Sequence, residues 1–81
     1  MSDAIYIAVR AALDLAIAES AWIRLVLRTD PDRVASVRVI DGAPYEVTAG
    51  PDGRERVFVR IAESTEQIVL VERIARVLST D

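Results

Sequence analysis

Five arginines, Arg24, Arg28, Arg38, Arg56 and Arg60, alternate with apolar residues in segments of period two, which as strands place them on one face of a sheet. Phe58 lies between the last two, and Glu46 is the acid expected beside them. Guanidinium forks match phosphate and carboxylate geometry, and an aromatic ring between them offers a base-stacking platform, so the chemistry this set suggests is anion binding, with RNA or single-stranded DNA as the ligand. The segment Arg-Val-Phe-Val-Arg (56–60) lacks the glycines and second aromatic of an RRM-type motif. The same face, with Val26, Ile40 and Phe58 covered by arginine stems, also reads as a solvated outer sheet surface or as an interface core with a polar rim. Nucleic-acid binding is therefore the alternative reading rather than the leading one, in keeping with the net charge of −3.

Other chemistry is limited by inventory. The 81 residues include no Cys and no His, which removes disulfides, thiolate nucleophiles, the commonest zinc ligands and the usual neutral-pH base. Asp30 and Asp32 flank Pro31, and Asp41 and Asp52 sit in other turn signals, so each carboxylate has a turn or capping role; the first two lack the spacing of a calcium loop. Ser20, Ser36 and Ser64 have no base beside them, and Gly42, Gly50 and Gly53 belong to hairpins rather than a phosphate loop. No catalytic residue, metal ligand or cofactor is predicted. A pocket lined by Tyr6, Tyr45 and an acid would restore a small-molecule reading.

The element that dominates the chain is its first helix, expected from Asp3 to Ala21 with Ser2 as N-cap. Ala4, Ala8, Ala11, Leu15, Ala18 and Trp22 step by four and three residues and line one face. Ile5, Val9, Ala12 and Ala16, with Leu13, line a second, and Arg10 and Asp14 mark the polar stripe. Two apolar faces need two surfaces to pack on, one a sheet and the other a second helix or another copy of the chain. The segment is not a membrane span, because Arg10, Asp14 and Glu19 would each cost about 2.5–3.5 kcal/mol at a bilayer centre; nor does it have the basic start of a signal peptide.

From Trp22 the period changes to two, giving a strand over Ile23 to Arg28, a break at Thr29-Asp30-Pro31-Asp32, and a strand over Val37 to Ile40. Asp41-Gly42 signals a tight hairpin into a strand with Tyr45 and Val47 inward, and Gly50-Pro51-Asp52-Gly53 a turn into one with Val57, Val59 and Ile61 inward. Ser64 and Gln67 form a capping box that opens a second helix with Ile68, Val71, Ala75 and Leu78 as its core stripe.

These readings combine into one small α+β domain over residues 1–81: an N-terminal helix, a four-stranded antiparallel meander and a C-terminal helix, with both helices on one sheet face in two layers. The expected function is a non-catalytic protein–protein interaction or regulatory module, an accessory subunit or adaptor, acting as a homodimer through the alanine face of the first helix. The expected setting is cytoplasmic, without membrane contact. Arginine in place of every lysine, with alanine, valine and aspartate abundant, suggests a GC-rich bacterial genome.

Overall fold

A computed structural model describes residues 3–28 and 38–80. The expectations for Ser2, for the break and acidic pair at 29–32, for Ser36 and for Val37 lie outside the described residues. The first helix, α1 (Asp3–Glu19), forms where the 3.6-residue pattern runs uninterrupted by Gly or Pro. It ends in a left-handed residue, Ser20, at φ 53°. The Ser20 N–H donates to the Ile17 carbonyl at 3.2 Å and the Ala21 N–H to the Ala16 carbonyl at 2.9 Å. These are the two bonds of a Schellman cap, with serine where glycine is usual.

Among the described residues five strands follow: β1 (Ile23–Leu27), β2 (Arg38–Ala49), β3 (Glu55–Ala62), β4 (Thr65–Leu70) and β5 (Ile74–Ser79). All pair antiparallel in the spatial order β4-β3-β2-β1-β5. The fold is thus α+β, with one α-helix and five strands among the described residues in place of the expected two helices and four strands. The expected second helix is β4, a 3-10 turn (Val71–Arg73) and β5. Ser64 caps no helix; with Glu63 it forms the turn between β3 and β4, where Ala62 faces Thr65.

The expected hairpin at Asp41-Gly42 is absent too. β2 runs straight through these residues, pairing with β1 up to Gly42 and with β3 from Ala43 onward. Gly42 does not have the positive φ that a type I′ turn demands; the glycine found there is Gly53, at φ 78°, in the Gly50–Gly53 turn closed by its N–H on the Gly50 carbonyl at 2.9 Å. Gly42 instead permits close approach, since a β-carbon there would lie 2.5 Å from Val59 Cγ1 and 2.7 Å from the Arg60 carbonyl oxygen.

Three residues joining the two edge strands determine the shape. On a flat sheet β4 and β5 would lie about 19 Å apart, four strand spacings, whereas the step from Leu70 to Ile74 reaches no more than about 15 Å when fully extended. The sheet therefore curls, with β2 shared between its two halves. Inside the curl lie Leu25, Val57, Val59, Val71 and Ile74, each at most 1% exposed. α1 packs against β2, β5 and the 3-10 turn and adds Val9, Leu13 and Ala16 to this core. Burying a side chain such as Leu13 contributes about 2–3 kcal/mol.

Candidate interaction surface

Once Val9, Leu13 and Ala16 point into the core, the 100° helical step decides what points away from it. Ile7, Ala11 and Ala18 face directly outward, with Ala4, Ala8 and Leu15 beside them, and every one is exposed. Ile7 is 65% exposed, Leu15 61%, and Trp22, just past the helix end, 47%. All six residues of the expected seam, Ala4, Ala8, Ala11, Leu15, Ala18 and Trp22, lie on this surface, and among the described residues no second helix covers them. Ile7, which the four-and-three stepping skipped, belongs to the same face; it lies four residues before Ala11, and that spacing marks it in the sequence.

Polar contacts at the helix flank hold this orientation. The Tyr6 hydroxyl donates to Glu55 Oε1 and Arg10 Nε to Glu55 Oε2 at 3.3 Å, tying the N-terminal half of α1 to the start of β3. Arg10 also pairs with Asp14 one turn on. At the other end the Thr80 hydroxyl donates to the Trp22 carbonyl at 3.0 Å. Beside Leu15 and Trp22 a groove of about 370 Å³ runs between the helix and the last strand, walled by Ala12, Val77 and Leu78 and by the polar Glu19 and Ser79. The groove and the outward face of α1 share Leu15, so the apolar surface is continuous.

The arginine set divides differently from its expected single face. In β1 and β2 the register opposes Leu25 to Ile40 and Arg24 to Asp41, so Ile40 is core while Val39 is 47% exposed. Arg38 lies two residues from Ile40 and opposite Leu27, on the inner side at the strand end, so it does not join Arg24. A bulge between Pro44 and Glu46 turns Tyr45 outward, 39% exposed, instead of into the core.

Several of the guanidinium groups are engaged within the chain. Arg24 grips Asp41 with two bonds, 2.8 and 3.1 Å, which push its own pKa up and hold the Asp41 carboxyl below its usual range. Arg56 binds both oxygens of Asp52 at 3.2 and 3.1 Å; with the Arg54 N–H, it lowers the Asp52 pKa. Arg60 stacks over the Tyr45 ring at 5.6 Å, and Tyr45 meets Phe58 edge-on at 6.0 Å while its hydroxyl donates to Glu66. Arg28 is half-buried just past β1, where its backbone N–H donates to the Arg73 carbonyl at 2.6 Å.

A second, polar cavity of about 510 Å³ is lined by Tyr6, Arg54, Glu55 and Glu72, with Arg54 and Glu72 paired at 2.9 Å. Tyr45 is not in it, so the pair of tyrosines does not converge. Among the described residues no cluster of three or more potential ligands could hold a metal ion, and no helix is long and apolar enough to cross a membrane. Comparison with known proteins finds no family model, no curated protein and no solved structure that matches this chain.

Proposed function

We propose that this chain is a non-catalytic interaction module, an accessory or regulatory subunit, that forms a homodimer through the outward face of α1. The observation that carries this reading is the composition of that face. Opposite the core, where an amphipathic helix carries its charges, α1 carries Ile7, Ala11, Leu15 and Ala18 in full view of solvent, with Asp14, paired to Arg10, at one edge of the face. A contiguous apolar surface continuing through Leu15 to Trp22 is stabilised by removal from water, and small side chains let a second helix approach closely. Nucleic-acid binding by the outer arginines has less support, because Arg24 and Arg56 are neutralised by Asp41 and Asp52 and Arg60 lies on Tyr45.

Sedimentation equilibrium at micromolar concentration tests the proposal. The expected result is a species of twice the 8.9 kDa chain mass, converted to the monomer by Leu15→Glu with the far-ultraviolet spectrum retained. A wild-type chain that stays monomeric throughout that range refutes it.

A further inference from the structure

We infer that the two helices of the dimer run antiparallel, crossing on a twofold axis at Ala11, with the second copy's N-terminal turns covering the groove beside Leu15 and Trp22. This rests on the proposed self-association and specifies its geometry. α1 is about 25 Å long at 1.5 Å per residue, and Ala11 is its midpoint. A twofold axis there sets Ile7 of each copy against Leu15 of the other and Ala4 against Ala18, so large meets large on either side of a small-residue crossing.

Charge selects this direction over the parallel one. Arg10 and Asp14 lie on one flank of the exposed face and Glu19 on the other. Antiparallel packing brings like flanks together in the height order Asp14, the partner's Arg10, Arg10 and the partner's Asp14, so the two arginines lie side by side between two acids and each gains an acid of the other copy within one turn, besides its own Asp14. Parallel packing would instead bring the flank of Asp14 onto that of the partner's Glu19, five residues on, setting acid against acid. On the opposite flank the antiparallel arrangement lays Ile5, itself 43% exposed, and Ala8 of one copy over the groove walled by Ala12 and Leu78 of the other. Two separate features, the Ile7–Leu15 spacing and the Arg10–Asp14 flank, are thus satisfied by a single axis, which also places Ile5 beside the apolar part of the groove.

The absence of native cysteine makes the orientation directly readable by cross-linking. Single variants Ala4→Cys, Ala11→Cys and Ala18→Cys replace exposed residues of the helix, and a disulfide requires α-carbons within about 7 Å. Under mild oxidation Ala11→Cys is expected to link to itself, Ala4→Cys and Ala18→Cys to link only when mixed, and all three to keep the wild-type far-ultraviolet spectrum. Self-linking of Ala4→Cys alone overturns the antiparallel arrangement while leaving the dimer in place. A dimer by sedimentation in which no combination links overturns this interface, and a monomer by sedimentation removes the self-association on which it rests.

Discussion

Gly42 and Val59 are held so close that a β-carbon on the former would sit 2.5 Å from Cγ1 of the latter. The contact marks the point where β2 leaves β1 and takes up β3, and the Arg60 carbonyl oxygen, 2.7 Å from the same position, leaves little room for adjustment. Gly42→Ala is therefore expected to lower stability by about 1–3 kcal/mol through overpacking, and Gly42→Asn by more. A urea titration measures both. An asparagine variant as stable as wild type would instead indicate a tight turn, where asparagine is welcome.

Ser20 occupies a left-handed conformation that costs an ordinary residue about 1–2 kcal/mol and glycine almost nothing. Its side chain is exposed, so no packing is lost on removing it. Ser20→Gly is expected to raise stability by about 0.5–1 kcal/mol after the greater freedom of glycine in the unfolded chain is deducted. Thermal unfolding should then shift upward by several degrees; an unchanged or lower midpoint counts against a strained cap.

Those two residues also show what could and could not be read before the fold was known. α1, β1 and β3 were legible because each has one clean period, and the Gly50–Gly53 turn because its residues permit few alternatives. Residues 64–79 carry two patterns at once. Ile68, Val71, Ala75 and Leu78 fit a helical stripe, yet Ile68, Val69, Val71, Ile74 and Val77 are β-branched, and the β-preference prevailed once β5 could pair with β1. The parity of β2 was hidden for a different reason. Its bulge at Tyr45 and its passage through Gly42 depend on contacts with β3, which are distant in sequence and leave no local trace. The exposed face of α1 was legible as composition, since no charge interrupts Ala4, Ala8, Ala11, Leu15 and Ala18; the arginine face was not, because it required the correct strand parity.

Acid should weaken the fold through Asp41 and Asp52. Their carboxyls are held below the ordinary range chiefly by hydrogen bonds from Arg24 and Arg56, respectively, so the folded state binds protons less readily than the unfolded one. Their contribution is fully present above the unfolded value of about 3.9 and is lost as pH falls through the lower folded values. With no histidine in the chain, stability is expected to vary little from about pH 5 to 8 and to decline below about pH 4. Urea midpoints against pH should show a shallower acid limb for Asp41→Asn/Asp52→Asn, and molar salt should reduce the difference, as both pairs are solvent-exposed. An acid limb identical in the double variant and wild type would assign the decline to other groups.

Leu13 and Leu15 separate folding from the proposed association within one helical turn. Leu13 is 0% exposed among Val9, Ala16 and the sheet, whereas Leu15 is 61% exposed on the outward face. Truncating the first leaves a cavity, so Leu13→Ala is expected to cost about 2–5 kcal/mol of stability, a large share of what so small a domain has. Leu15→Ala removes surface the monomer never buried and should change monomer stability by no more than about 0.5 kcal/mol. Its effect is expected in the proposed self-association, where loss of the contact beside the helix crossing raises the dimer dissociation constant at least about tenfold. Denaturation at nanomolar concentration together with sedimentation at micromolar concentration distinguishes the two. If Leu15→Ala destabilised the isolated monomer as much as Leu13→Ala, the outward face of α1 would be packing within the chain, and the case for a second copy would fall with it.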